Sequence, residues 1–344
     1  MVRPAPRRGS GAPAGAASAP NDLFDGSAEQ VLRRLELEVE QRLDGLLHGD
    51  YRGLAPGHGS ELGDAREYLV GDDVRRIDWN VTARTQVTHV RDSIADRELE
   101  AWVLVDRSAS LDFGTAACEK RDLATAAVAA TGFLTARAGN RFGCLVIEGD
   151  QLVVHPARAG RRHVQAVLHD LLTRPRLAEG LATDLGPAVR RLSGLAKRRG
   201  LTVVASDFLI PSTAAGDGTR APDWFEPLRV LGARHEVLAV EVVDPRELSL
   251  PAVGVLDLVD PETGRRREVR TSPALRQRYA EATTRQREEI ARAIRKAGAD
   301  HLQLRTDRDW LLDLVRFVAD RRRRRSFASG GAHAARRRRP KAAR

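Results

Sequence analysis

The chain has 344 residues, 42% of them hydrophobic, enough for one large or two medium domains with a proper core. No uninterrupted apolar run reaches membrane-spanning length, and the opening MVRPAPRRGSGAPAGAASAP carries arginines without an apolar centre, so it reads as a disordered arm and not as a signal peptide. The net charge of +10 is a local feature: residues 321–344 hold eleven basic side chains and no acidic one, leaving 46 basic against 47 acidic elsewhere. Overall basicity is thereby excluded as a nucleic-acid signal, and only the tail remains, as a solvated run or as a binder of anionic partners.

In chain order, residues 28–48 place apolar residues at Val31, Leu32, Leu35, Leu37, Val39, Leu43, Leu46 and Leu47, most of them at helical spacing, with Gly49 as a stop. Residues 51–98 are rich in glycine, short alternations and turn pairs such as Gly71-Asp72, which predicts a small β-rich segment. From residue 101 strand-like runs alternate with helical ones. The strands are expected at 101–105, 142–147, 151–154, 201–205, 236–243 and 301–305, and the helices at about 115–138, 161–173, 185–198 and 224–232. This alternation predicts an α/β fold with a doubly wound, mostly parallel sheet in the order 3-2-1-4-5-6 and helices on both faces. The run at 151–154 follows a tight Glu148-Gly149-Asp150 turn and is the expected antiparallel edge. A hairpin is expected at 253–271 around Pro261-Glu262-Thr263-Gly264, followed by a long helix opened by Ser272-Pro273 and ended by Gly298.

The chemistry gathers at strand ends. In such a sheet, ligands collect at the carboxyl ends beside the point where strand order reverses. The first core strand ends in Asp106, with Ser108 and Ser110 on the next loop; Thr183 precedes a later helix, and Asp207 ends the fourth core strand. One carboxylate, two serines, a threonine and a second aspartate make an all-oxygen set suited to a hard octahedral cation, Mg²⁺ or Mn²⁺. The bland alternative is turn and cap chemistry: Ser and Asp favour both, Asp112 is a candidate cap for the following helix, and Thr183 and Asp184 for the helix from 185. Cys118 and Cys144 have no metal-ligand spacing and are expected as buried reduced thiols of a cytoplasmic protein. The nine histidines show no ligand pairing and read as solvated; the Asp112-Phe113-Gly114 match to a kinase loop is chance, and the glycine-rich 57–63 run lacks nucleotide-loop spacing.

Asp106-x-Ser108-x-Ser110 with Thr183 and Asp207 resembles the metal-ion-dependent adhesion site of von Willebrand factor A domains. The run GHGSELGDAREYLVGDDVRRIDWNVTARTQVTHVRD at 57–92 resembles the bacterial domain-of-unknown-function 58 family, over about residues 30 to 320. The resemblance implies a divergent von Willebrand A-like domain whose metal accepts an Asp or Glu of a protein partner, and a MoxR-type AAA+ ATPase as that partner. Arg107 and Ala109 depart from the small residues usual there, and Arg107 is expected to point away from the metal. Arg75, Arg76 and Asp78 are expected as ion pairs locking the β segment down, with Trp79 as packing. The expected layout is a disordered arm at 1–27, a helix plus β-rich segment at 28–98, a von Willebrand A-like domain at 99–320 with its hairpin insertion at about 245–271, and a disordered basic tail at 321–344. The expected function is a non-enzymatic, Mg²⁺-dependent interaction module. The alternatives are a metal-assisted hydrolase using the same carboxylates, which lacks an evident general base, and anionic-surface or nucleic-acid binding through the tail.

Overall fold

Alternating apolar strands, with side chains buried on both faces, organise the chain. The computed structural model describes residues 23–46, 65–68, 74, 77–91, 99–177, 183–209, 221–260 and 264–337. Its central sheet consists of β3 (Glu100–Asp106), β4 (Arg141–Glu148), β5 (Gln151–Ala159), β6 (Gly200–Ser206), β7 (Glu236–Val243) and β10 (Asp300–Arg305), in the order β10-β7-β6-β3-β4-β5. That is the predicted order, parallel throughout except for β5, which pairs antiparallel with β4. The fold is α/β, a doubly wound and mostly parallel sheet with helices on both faces and β3 at its centre.

Period-two alternation divides each strand between two cores. Ala101, Val103 and Val105 of β3 join Phe142, Cys144 and Val146 of β4 beneath α1 (Ala28–Leu46), α3 (Lys120–Arg137), α4 (Arg161–Thr173) and α9 (Trp310–Arg337). Trp102 and Leu104 face the other way with Leu145, Ile147 and Val204, under α5 (Leu185–Leu195), α6 (Phe225–Gly232) and α8 (Pro273–Lys296). Each fully buried Leu, Val or Phe contributes roughly 1.5–3 kcal/mol, so the two layers dominate stability. Gly143 is required where it stands, because a Cβ there would lie 2.7 Å from the Trp102 ring.

Several expectations need correction. Asp112 does not cap α3; the helix begins at Lys120, and Glu119 and Asp122 form its capping box. α1 packs on α3, α4 and α9 and so joins the main domain, not the β-rich segment grouped with it by sequence. The described part of 51–98 holds a three-residue pair, β1 (Ala65–Glu67) with β2 (His89–Arg91), and a single antiparallel bridge from Ile77 to Val90, around α2 (Trp79–Thr85). There Trp79 is 71% exposed, not packed, and Asp78 serves in addition as the N-cap of α2, accepting from the Asn80 and Val81 amides at 3.0 and 3.2 Å. The basic stretch 321–337 continues α9, because arginine and alanine are strong helix formers and no proline interrupts them before Pro340. The missed short helix α7 (Pro245–Leu248) precedes the hairpin of β8 (Val255–Val259) and β9 (Arg266–Arg270), which forms as expected. The arm at 1–22, the Gly71-Asp72 turn, Arg75, Arg76, the hairpin turn at 261–263 and the last residues from 338 lie outside the described residues.

Candidate metal centre at the carboxyl end of the sheet

β3 and β6 are parallel neighbours, so their carboxyl ends bring Asp106 and Asp207 side by side. Asp106 is 5% exposed and so is a buried carboxylate, although it stands at a strand end. Its Oδ1 accepts from the Ser108 amide at 2.8 Å and its Oδ2 from Ser206 Oγ at 2.7 Å. Ser108 Oγ lies 3.0 Å from Ser110 Oγ, and Ser110 Oγ donates to Asp207 Oδ2 at 2.8 Å. Four of the five predicted site residues are therefore joined in one hydrogen-bonded group. A tight turn at Ala109–Leu111 aims both serines inward; Ser108 is its N-cap by position but makes no side-chain cap bond, so capping does not account for it.

Thr183 is placed by topology. α5 runs antiparallel to β6 and packs on β3 and β4, which puts the residues before it at the same carboxyl end. Asp184 occupies the N-cap position without capping, and the Gly186 amide donates to Asp223 instead, at 2.7 Å. Thr183 Oγ1 is buried and has no hydrogen-bond partner among the described residues, an arrangement that costs about 1–3 kcal/mol unless a ligand completes it.

The two carboxylates differ in electrostatics. Burial, joined by the charge of Asp207, pushes the Asp106 carboxyl up to about 6, and no basic side chain pairs with it among the described residues. Burial also raises Asp207, but the charge and hydrogen bond of Lys120, with help from Arg287, outweigh it and hold that carboxyl below its ordinary value. Lys120, at the first turn of α3, is fully buried, with its ammonium 2.9 Å from Asp207 Oδ2 and 2.6 Å from Glu247 Oε1. Arg287 of α8 bridges Glu241 and Glu247 at 3.0 Å each and donates to the Asp207 carbonyl. Glu241 also meets His301 at 2.9 Å and Gln303 at 3.0 Å, so His301 is not a solvated histidine.

This buried network of Lys120, Glu241, Glu247 and Arg287 escaped the sequence reading. Its one legible signal was Glu241 inside the apolar run 236–243, a charge that a central strand accepts only when paired. Arg107 turns away, as expected: its guanidinium donates to the carbonyls of Leu171, Arg174 and Pro175 at the end of α4 and lies 3.4 Å from Glu148. Phe208, just after Asp207, adopts φ 55, a left-handed conformation that costs a bulky residue about 1–3 kcal/mol. The turn sends its ring edge-on to Trp224, centroids 5.3 Å apart.

The residues fit a small divalent cation. Asp106 offers a carboxylate without a counter-charge, Ser108 and Ser110 offer hydroxyls, and Thr183 offers an orphaned one. Asp207 fits less directly, because Oδ2 already accepts from Ser110 and Lys120, and Oδ1 from the Leu209 amide at 3.1 Å. It fixes Ser110 from behind.

Residues 64–289 match the family described as "Protein of unknown function DUF58". The chain is 53% identical over 302 residues to the uncharacterized protein Rv1480 of Mycobacterium tuberculosis, spanning 88% of this chain and 92% of that one. It is 45% identical over 168 residues to the uncharacterized protein MAV169 of Mycobacterium avium, spanning 49% of this chain and 94% of that one. Among solved structures it is similar to the conserved hypothetical protein BatB from Bacteroides thetaiotaomicron (16% identity, 65% of this chain and 99% of that one, TM-score 0.38). It is also similar to the SpRpn10 VWA domain (13%, 63% and 93%, TM-score 0.34). The family match spans more than half of the chain, and the Mycobacterium tuberculosis relative is matched over nearly its full length. This chain belongs to the DUF58 family of proteins of unknown function.

Proposed function

We propose that this protein is a non-enzymatic, cytoplasmic interaction module that grips its partner through Mg²⁺ or Mn²⁺ held by Asp106, Ser108, Ser110 and Thr183, with Asp207 positioning Ser110. One observation carries the reading: Asp106 is a buried carboxylate with no cation beside it among the described residues, at the hub of hydroxyls that include the orphaned Thr183 Oγ1. An isolated buried charge is costly, and a divalent cation offsets it. The cation would supply an open coordination position for a partner's Asp or Glu. The chain's own residues do the rest: the Ser108 amide and Ser206 orient Asp106, Asp207 orients Ser110, and Lys120 fixes Asp207. The family resemblance makes a MoxR-type AAA+ ATPase the partner to try first. No described helix is long and apolar enough to cross a membrane.

The test is calorimetric titration of the full chain with Mg²⁺ and Mn²⁺, followed by capture of the ATPase encoded in the same genome with and without EDTA. Asp106→Asn and Thr183→Val are expected to weaken metal uptake by tenfold or more and to lose partner capture with it. Equal capture by wild type in EDTA and in Mg²⁺ overturns the metal bridge.

A further inference from the structure

The hairpin of β8 and β9 lies outside both cores and is carried on the metal end of the sheet. α7 follows β7 directly, and its Glu247 meets the Lys120 ammonium at 2.6 Å and Arg287 at 3.0 Å. One turn before Arg287, Thr283 of α8 donates to the Leu248 carbonyl at 3.1 Å. Nearer the start of α8, Leu275 and Tyr279 pack with Leu250, Leu256 and Leu258 of the hairpin segment. Arg287 donates to the Asp207 carbonyl, and α8 leads from there back to the amino end of β10. Residues before Arg287 therefore rise past the strand tips, and the hairpin packs about 12–18 Å farther along the helix axis.

Three arginines stand where α7, the hairpin and α8 meet. Arg246 is on α7. Arg267 lies opposite Leu258 in the hairpin register and so shares the face that packs on α8. Arg276 is eleven residues before Arg287, three helical turns, which puts both on one face of α8, the face that Thr283 turns toward α7. Arg246 and Arg267 are exposed, Arg276 is half-buried, and none of the three makes an ion pair among the described residues. The Arg276 Nε is buried and has no acceptor among the described residues, a donor left for something outside the chain to complete. The acids nearby are otherwise engaged: Glu247 serves Lys120 and Arg287, while Asp257 and Glu268 face each other on the far side of the hairpin, between Arg266 and Arg270.

We propose that Arg246, Arg267 and Arg276 form the second half of the docking site, which takes an acidic segment of the partner: one carboxylate on the metal, later ones on these guanidiniums. The inference rests on the metal reading above and adds the charge and length of what is bound. Guanidinium groups match carboxylates bidentately, and arginine is enriched at protein interfaces. Arg276 lies about 16 Å along α8 from Arg287, a span that an extended chain at about 3.3 Å per residue covers in five residues. A single Asp or Glu cannot reach both halves.

The test measures fluorescence anisotropy of two labelled twelve-residue peptides with the full chain, in Mg²⁺ and in EDTA. One peptide alternates Asp and Ser; the other keeps a single central Asp and has Asn at the other five positions. Wild type in Mg²⁺ is expected to bind the six-Asp peptide at least about tenfold more tightly, since each added ion pair contributes up to about 1 kcal/mol. The triple variant Arg246→Gln, Arg267→Gln, Arg276→Gln is expected to lose that preference while keeping Mg²⁺ uptake by calorimetry and binding of the one-Asp peptide. Arg267→Gln alone, an exposed change, is expected to cost about threefold. A control with Arg278, Arg285 and Arg292 changed to Gln removes as much charge from the opposite face of α8 and is expected to bind as wild type does. Equal losses in the triple variant and the control reduce the preference to bulk charge and overturn the site. Wild type that takes up Mg²⁺ but does not discriminate between the peptides sinks the arginine half alone, whereas wild type without Mg²⁺ uptake sinks the metal reading and the joint site with it. Displacement of the six-Asp peptide by a 20-base-pair duplex at lower concentrations than by unlabelled peptide overturns the choice of a protein segment.

Discussion

At the carboxyl ends of the strands, Lys120 and Arg287 lie buried against Asp207, Glu241 and Glu247; at the amino ends, Lys197, Arg199, Arg234, Arg295 and Lys296 stand in solvent. The residue types are the same and the consequences are opposite. A buried cation is held by two or more fixed acceptors, because nothing else replaces its lost hydration. A solvated cation has no such obligation and stays available to a ligand. Burial therefore separates charges that hold the fold from charges free to act on something else.

The largest expected effect follows from breaking the buried side. Lys120→Met removes the ammonium that serves both Asp207 and Glu247, leaving two buried carboxylates short of their partner. Such losses cost about 3–5 kcal/mol, which corresponds to a fall in Tm on the order of 10 °C for a domain of this size. Differential scanning calorimetry in EDTA measures it; a shift under 2 °C shows that the cluster is not as closed as its geometry implies.

Asp106 sharpens the comparison, because it is buried like Lys120 yet has no counter-charge among the described residues. Asp106→Ala leaves the Ser108 amide and Ser206 hydroxyl without an acceptor, a loss of about 1–3 kcal/mol. Asp106→Asn keeps an acceptor and deletes the charge, so in EDTA at pH 7.5 it is expected to melt above wild type. The sign follows from the raised carboxyl: with a folded pKa of about 6 against 3.8, the stability gained by protonating Asp106 is fully present below 3.8 and lost as pH rises through 6. The gap between Asn variant and wild type should thus narrow from pH 7 toward pH 4. Saturating Mg²⁺ should reverse the order by stabilising wild type alone.

These contrasts mark how far the sequence could be read. Apolar periodicity revealed the faces, since Val103, Val105 and Trp102, Leu104 alternate as a buried strand requires, and the strand order followed from the doubly wound class. Asp106, Ser108 and Ser110 were legible because a strand end followed by hydroxyls is local in sequence, and Asp207, which meets Ser110 across 97 positions, because it ends a core strand of its own. Lys120, Glu247 and Arg287 were not: they meet across 127 and 40 positions, and each alone looks like an ordinary surface charge. Trp79 misled in the other direction, since an aromatic in a dense motif suggests packing and here it is exposed. Trp79→Ala is expected to change Tm by less than 2 °C, and a larger drop would show that the ring is covered in solution.

The smallest effect comes from an ion pair at the same end of the sheet as the buried cluster but on the surface, which separates burial from position. Asp309 caps α9, accepting from the Leu311 and Leu312 amides at 3.1 Å each, and meets Arg42 of α1 at 2.6 Å with both side chains more than a third exposed. Burial pushes the Asp309 carboxyl up, but the hydrogen bond from Arg42 and the two amides outweigh it and hold it below 3.8. A depressed carboxyl contributes stability that is present above 3.8 and lost as pH falls through the folded value. Solvent screening keeps the pair within about 0–1 kcal/mol, so Arg42→Gln is expected to lower Tm by no more than about 2 °C at pH 7 in low salt. Raising NaCl to 1 M should erase the difference, because the Debye length then shrinks to about 3 Å. The deficit of Lys120→Met should persist in the same salt. If both deficits vanish together, the cluster around Lys120 is as open to solvent as the pair on the surface, and the distinction between the two kinds of charge fails.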